Sequence, residues 1–306
     1  MKILLTGSTG MVGKNILENE SLAIHTILSP SRDELNLFNY EQVRVFLKKH
    51  KPDFIIHCAG RVGGIQANIK NPVSFLVENM DMGRNIIMAA CEEKVPRLLN
   101  LASSCMYPRE ATNPLKEEMI LQGELEPTNE GYALAKIFAQ RLCVYISKQY
   151  PTLDYKTIVP CNLYGRWDKF DPENSHMIPA VITKIHQAKI ENKDTVDIWG
   201  DGLARREFMY VGDLATIVAF VVEKFEQFPL VFNAGLGHDY SIKEYYQTVA
   251  KVIGYKGNFT FDLTKPVGMK QKLVDISILK SQGLKNLTSL EDGIKKTYDF
   301  FLEYKK

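Results

Sequence analysis

No apolar run in the chain approaches the roughly 20 residues that a membrane-crossing helix needs. No signal-peptide pattern follows Met1-Lys2 either, because Ile3-Leu4-Leu5 gives way at once to a glycine turn. The five cysteines (Cys58, Cys91, Cys105, Cys143 and Cys161) are odd in number and include no C-x-x-C pair. That speaks against a disulfide framework and against a zinc site, so no metal is expected. Neither sign of charge dominates: the net charge is +2, which points to no nucleic-acid or membrane-surface partner. Internal repeats, low-complexity tracts and flexible linkers are missing as well. These absences leave a globular protein expected in a reducing cytoplasm. Its 306 residues suffice for a large core in one or two domains.

What is present is an alternation of short apolar strands and helical patterns. Strands are expected at Lys2–Thr6, Ile24–Leu28, Asp53–Cys58, Leu98–Ala102 and Tyr155–Pro160. Helices are expected between them at Val12–Asn19, Glu41–Lys49, Asn79–Glu92 and Gly131–Gln149. Strands that are apolar throughout imply a parallel sheet covered on both faces, an α/β doubly wound (Rossmann) fold. After Gly165 the rhythm breaks. Arg166–Asn174 is polar and loop-like, followed by helices at Met177–Ala188, Asp213–Lys224, Ile242–Ile253 and Glu291–Glu303 and strands at Val196–Trp199 and Val231–Asn233. We expect a cofactor domain of residues 1–165 and 205–234, interleaved with a smaller, discontinuous α/β substrate domain of residues 166–204 and 235–306.

Gly7-Ser8-Thr9-Gly10-Met11-Val12-Gly13 follows the first strand and opens a helix. Glycines so placed give a tight turn, close backbone approach to a pyrophosphate and close helix–strand packing, with the pyrophosphate at the helix N-terminus. The second strand ends in Ser29-Pro30-Ser31-Arg32, with no carboxylate before Asp33. An NAD-binding site places an acidic side chain there for the ribose 2′-hydroxyl, whereas Arg32 offers a fork of donors to a 2′-phosphate. The expected cofactor is NADPH/NADP+. The plain alternative leaves Arg32 as a solvated loop charge.

Tyr132-Ala133-Leu134-Ala135-Lys136 is Y-x-x-x-K on a helix, which sets both side chains on one face about a turn apart. A phenol ionises near pH ~10, and a neighbouring ammonium brings it toward the working range. Lys136 could also hold the nicotinamide ribose. Ser103 ends the fourth strand at the carboxyl edge, where ligands of open α/β sheets bind.

Beyond these motifs the chain resembles, over nearly its whole length, the extended short-chain dehydrogenase/reductase family, and within it the GDP-L-fucose synthases, which are GDP-4-keto-6-deoxymannose 3,5-epimerase/4-reductases. The residues that carry the likeness are Arg32-Asp33-Glu34-Leu35-Asn36-Leu37, Val62-Gly63-Gly64-Ile65, Ser103-Ser104-Cys105-Met106-Tyr107-Pro108 and Leu125-Glu126-Pro127-Thr128-Asn129-Glu130. Asn162-Leu163-Tyr164-Gly165, Asn174-Ser175-His176 and Arg206-Glu207-Phe208 complete the set. The resemblance implies that Ser103, Tyr132 and Lys136 form a reductase triad and that Cys105 and His176 are an epimerase acid/base pair. It further implies that Ala59, Asn162, Leu163 and His176 border the cofactor, and that the chain is a homodimer through helices of the cofactor domain. The pairing is chemically reasonable: a 4-keto group acidifies the protons at C3 and C5, and inversion needs a base on one face and an acid on the other. Inert packing for Cys105 and a polar loop position for His176 are the competing readings.

At the sugar-nucleotide end, Trp199 could stack on a ring and Arg206 could clamp phosphate. Lys184 and the basic loop Lys265-Pro266-Val267-Gly268-Met269-Lys270-Gln271-Lys272 could close over the same ligand, or lie solvated. Relative to the family pattern, Lys184 and Gln271 stand where arginine is usual and Val267 where aspartate is usual. The expected partner is therefore a GDP-linked 4-keto sugar that is either a 6-deoxyhexose or a larger heptose. The chain would carry out C4 reduction with 3,5-epimerisation, or C4 reduction alone. Ser104, Cys105 and Met106 lack the acidic pair a 4,6-dehydratase needs. A nucleotide-sugar 4-epimerase, a reductase of another carbonyl and a catalytically silent NADP-binding protein are the remaining alternatives.

Overall fold

The computed structural model describes residues 1–171, 175–265, 269–285 and 287–304. Asn174 and the loop residues Pro266, Val267 and Gly268 lie outside the described residues. Six parallel strands form the central sheet: β1 (Lys2–Thr6), β2 (Thr26–Leu28), β3 (Phe54–His57), β4 (Arg97–Leu101), β5 (Asp154–Pro160) and β6 (Val231–Ala234). Their order is β6-β5-β4-β3-β1-β2. The chain winds outward from β1 to β2, then crosses back to β3 on the other side. That reversal opens a crevice at the carboxyl ends of β1 and β3, where Thr6 pairs with His57.

The strands are apolar throughout because both faces are covered. Ile3 and Leu5 of β1 join one core with Phe54, Ile56 and the helix Val211–Glu223, while Leu4 joins another with Ile55 and the helices Tyr40–His50, Pro72–Glu92 and Glu130–Gln149. Alternate residues of one strand thus feed two layers of helices. A third core lies outside the sheet. It gathers Ile178, Ile182 and Ile185 of the helix Met177–Ile190, Val249 of the helix Ile242–Ile253, Phe301 of the helix Leu290–Tyr304, and Val196 and Ile198 of the strand Thr195–Trp199.

Several elements differ from the sequence reading. The second strand begins at Thr26 rather than Ile24, which is 82% exposed beyond a one-turn 3-10 helix, Glu20–Leu22. The helix expected from Asn79 starts at Pro72, whose fixed φ suits a first helical position. The helix Ile65–Lys70 and the pairing of the short ladders were not anticipated, whereas the strand at Val196–Trp199 was. These ladders are Asn162–Tyr164 with Phe208–Tyr210, Asn258–Asp262 with Thr195–Trp199, and Arg205–Arg206 with both Tyr240–Ser241 and Gln271–Lys272. Most of these segments are of two or three residues, too short to show a period. Among the described residues no helix is long and apolar enough to cross a membrane, and no group of His, Cys, Asp and Glu could hold a metal ion.

Candidate active site

A cleft of about 600 Å³ runs along the carboxyl ends of β1, β3, β4 and β5. The glycine turn forms its floor. Gly7 has φ +71, in the left-handed region that favours glycine, and a Cβ there would come within 2.7 Å of the Ala59 nitrogen. A Cβ on Gly13 would lie 2.2 Å from the Gly7 carbonyl oxygen. The turn is therefore packed backbone to backbone against both the chain after β3 and the helix Met11–Leu17. Gly10 caps that helix without a side chain, so no side chain competes for the N–H groups of its first turn.

Every residue assigned to the cofactor from the sequence lies on this wall: Gly7, Ser8, Thr9, Gly10, Met11, Val12, Gly13, Arg32, Ala59, Lys136, Asn162, Leu163 and His176. At the end of β2 the wall is made by Pro30, Ser31 and Arg32, and Asp33 is not part of it. Among the described residues the one carboxylate on the wall is Glu78, paired with Arg61 at 2.6 Å. Donors without an opposing carboxylate fit a dinucleotide that carries a 2′-phosphate. Arg61 went unnoticed in the sequence because its place on the wall follows from the turn after β3, which has no signature of its own.

The Y-x-x-x-K pair enters from the helix Glu130–Gln149. Lys136 is buried; its Nζ donates to the Leu101 carbonyl at 3.0 Å and lies 5.7 Å from the centre of the Tyr132 ring. Burial pulls the ammonium below its ordinary pKa, opposed by the Cys105 and Cys58 thiols. Ser103 follows β4 and caps a one-turn 3-10 helix, Ser104–Met106, its Oγ accepting from the Cys105 backbone N–H at 3.4 Å. The Ser103 hydroxyl and the Tyr132 phenol line the same cleft. Burial pushes that phenol well above its usual pKa, the neighbouring Cys105 adds to the rise, and Ser103 opposes it. This differs from the sequence expectation, in which Lys136 drew the phenol toward neutrality. Desolvation outweighs the other influences, and the Tyr132 phenol stays protonated.

Cys105 lies beside Ser103 but off the cleft wall, whereas His176 is on it. Cys105 is 5% exposed, and burial raises its thiol, with the Lys272 ammonium and the Ser103 hydroxyl opposing. His176 begins the helix Met177–Ile190 and reaches the cleft wall, with Nδ1 3.7 Å from Asp168 Oδ1. A Cβ on Gly64 would lie 2.9 Å from the Ser175 carbonyl oxygen, so the backbone before His176 rests on the loop after β3.

The residues assigned to the sugar nucleotide lie off this wall. Arg206 pairs in parallel register with Lys272, which places the two cations side by side. Burial lowers the pKa of both. Lys184 is bound to Asp197, 2.8 Å from its carboxylate and 2.6 Å from its carbonyl. Trp199 is half exposed, with Lys265 Nζ 5.6 Å from its ring centre. Gln271 donates to Asp239 at 2.6 Å, and the same carboxylate accepts from Arg205 at 2.7 Å.

Glu207 was given no role from the sequence, yet it ties this region together. Buried at 1% exposure, it accepts backbone N–H bonds from Gly237 at 2.8 Å and Val274 at 2.9 Å, and another from Leu236. Burial holds its carboxyl up at about 7, against the pull of those three donors.

Sheet order, glycine turn and the cleft above it are those of an α/β enzyme that works with a nicotinamide dinucleotide. The chain belongs to the NAD dependent epimerase/dehydratase family, whose model matches residues 3–235. A GDP-L-colitose synthase of Yersinia pseudotuberculosis is 55% identical over 305 residues, which is 100% of this chain and 99% of that one. A GDP-L-fucose synthase of Azorhizobium caulinodans is 46% identical over 301 residues, covering 98% and 96%. Among solved structures, a GDP-6-OMe-4-keto-L-xylo-heptose reductase from C. jejuni superposes with a TM-score of 0.91 at 30% identity, covering 99% of this chain and 98% of that one. A GDP-mannoheptose C4 reductase from Campylobacter jejuni with NADP bound gives 0.88 at 32% identity, covering 98% of each chain.

Proposed function

We propose that the chain is an NADPH-dependent 4-reductase of a GDP-linked 4-keto sugar, a 6-deoxyhexose or a heptose, and that it also epimerises the carbons flanking the ketone. The observation that carries the reductase reading is the meeting of Ser103, Tyr132 and Lys136 at the carboxyl edge of the sheet, on the wall of a dinucleotide-sized cleft. NADPH, when bound, supplies the hydride. Ser103 hydrogen-bonds the sugar C4 oxygen, and Tyr132, kept protonated by burial, donates its proton there as the alkoxide forms. Lys136, fixed by Leu101, holds the ribose hydroxyls. Arg32 and Ser31 receive the 2′-phosphate.

For epimerisation, the 4-ketone makes the protons on C3 and C5 removable. His176 takes the proton from one face, and Cys105, whose raised thiol is protonated at neutral pH, returns one to the other. Residues 1–165 and 205–234 carry the cofactor, and residues 166–204 and 235–306 hold the nucleotide sugar. There Arg206 and Lys272 clamp the diphosphate, while Trp199 and Lys184 border the nucleoside. The competing reading, C4 reduction alone with epimerisation by another enzyme, is favoured by how deeply the Cys105 thiol is buried. The five unpaired cysteines support a cytoplasmic setting. A homodimer is supported by the exposed stripes Val73 and Val77 on one helix and Leu134 and Tyr145 on its neighbour.

The test is to offer GDP-4-keto-6-deoxymannose and a GDP-4-keto-heptose with NADPH, and to read product configuration by NMR. Oxidation of NADPH by one of them is expected. Tyr132→Phe should lower kcat by about 10²–10⁴-fold while NADPH still binds. Undiminished turnover by that variant removes the reductase mechanism. Incubation in D₂O without NADPH decides the second activity: no deuterium at C3 or C5 leaves reduction alone.

A further inference from the structure

His176 occupies the N-cap of its helix without a side-chain capping bond, so the helix end does not hold its ring. Among the described residues Asp168 faces the ring, with Oδ1 3.7 Å from Nδ1. The two differ sharply in setting: the Asp168 side chain is 4% exposed and that of His176 is 36% exposed. Asp168 Oδ1 accepts from the Lys169 N–H at 2.8 Å, whereas Oδ2 is buried with no hydrogen-bond partner. A buried carboxylate oxygen without a donor costs stability, and an apolar residue of the same size would avoid that cost. Packing alone therefore gives no reason for a carboxylate here.

The backbone that presents Asp168 is also held tightly. Trp167 lies at φ 68, a left-handed conformation that a bulky side chain adopts only where its surroundings enforce it. Its indole donates to Glu18 at 2.8 Å, and Lys14 Nζ sits 3.8 Å over the ring. On the other side, Ser175 rests on Gly64. The imidazole is thus set between a fixed carboxylate and a fixed backbone.

We propose that Asp168 is a positioning residue for His176. It accepts the Nδ1–H of the neutral ring and thereby leaves Nε2, with its lone pair, facing the sugar carbons beside the ketone. The hydrogen bond made by one ring nitrogen decides which tautomer exists, and only the Nε2 lone pair can take a proton on the substrate side. Shortening 3.7 Å to hydrogen-bond length requires a side-chain movement of about 0.9 Å. This deepens the epimerase reading above and rests on it.

Nitrogen-15 NMR of histidine-labelled protein tests the contact directly. The chain has six histidines, and His176 is assigned by the signal lost in His176→Asn. In the free wild-type protein Nδ1 should carry the proton. In Asp168→Leu the proton should move to Nε2, and Asp168→Glu should restore it in part. Deuterium wash-in to GDP-4-keto-6-deoxymannose should fall on the order of 100-fold in Asp168→Leu. Asp168→Asn, which keeps the shape, should lose wash-in as well, and both variants should bind NADPH within about threefold of wild type. A wild-type tautomer or a wild-type exchange rate in Asp168→Leu overturns the proposal. If wild type itself exchanges nothing, the epimerase reading falls, and the tautomer comparison still decides whether Asp168 sets the ring.

Discussion

Gly10 and Gly13, three residues apart in the same turn, should fail for different reasons when each is given a methyl group. At Gly13 the new Cβ would stand 2.2 Å from the Gly7 carbonyl oxygen, 2.6 Å from the Ser8 Cα and 2.8 Å from the Gly7 carbonyl carbon. All three are backbone atoms of a turn, so no side chain can swing aside. Restoring an ordinary contact of about 3.4 Å means moving helix Met11–Leu17 from the turn by roughly 1.2 Å, an overpacking that costs about 1–3 kcal/mol. Gly13→Ala should therefore lower the melting temperature of the free protein by about 2–8 °C and weaken NADPH binding at least tenfold. At Gly10 the backbone is extended, with φ -82, and the nearest atom to a new Cβ is 3.4 Å away. Gly10→Ala should leave the free protein's melting temperature within about 2 °C, yet still lose NADPH, because the methyl would point where a pyrophosphate approaches the helix end. Differential scanning calorimetry without cofactor and fluorescence titration with it separate the two effects. If both variants melt alike, or if Gly13→Ala binds NADPH normally, backbone packing is not what these glycines provide.

Arg32→Ala should raise the dissociation constant for NADPH by about 10–100-fold and leave that for NADH nearly unchanged, since one charge-assisted contact is worth about 1.5–3 kcal/mol. Equal losses for both cofactors would take Arg32 away from the 2′-phosphate. Glu207 offers a test of stability against pH. Its carboxyl is held up at about 7 in the folded protein against 4.5 unfolded, so folding binds a proton between those values. Its contribution is complete below about 4.5 and is lost as pH rises to about 7, at most ~3 kcal/mol in all. Glu207→Gln should flatten the fall in melting temperature between pH 5 and 7; an unchanged slope would assign it to another group. Finally, Val77→Glu with Tyr145→Glu should give a monomer in analytical ultracentrifugation, and a persisting dimer would place the interface elsewhere.

How far the sequence could be read depended on how far away each residue's partners lie. The helix Ile242–Ile253 was legible to the residue because its capping box, Ser241 with Glu244, and its Gly254 end are all local. That Tyr132, Lys136 and Ser103 would share one cleft wall was legible because the first two lie on one helix and the third follows a strand end. Lys184 was harder: its partner, Asp197, lies on a strand whose neighbour, Asn258–Asp262, comes some sixty residues later. Glu207 takes its donors from Leu236, Gly237 and Val274, and Asp168 meets His176 only through a left-handed turn. Neither arrangement leaves a periodic trace. The ionisation of Tyr132 was likewise hidden, since desolvation is set by everything packed around the phenol and not by the lysine one turn away.

The ladder of Gln271–Lys272 against Arg205–Arg206 continues into a second seam, where the Leu273 N–H bonds Asn113 at 2.7 Å and Leu115 bridges Val274. The strand that brings Lys272 near Cys105 is thus laid down about 160 residues after the segment it closes upon. During synthesis at roughly 5–20 residues per second, the nucleotide pocket is complete many seconds before this strand emerges. A nascent chain can then grip its cofactor early, while reactivity toward a sugar waits for the closing strand. Shortening the chain before Val274 should accordingly leave a protein that binds dinucleotide and turns nothing over.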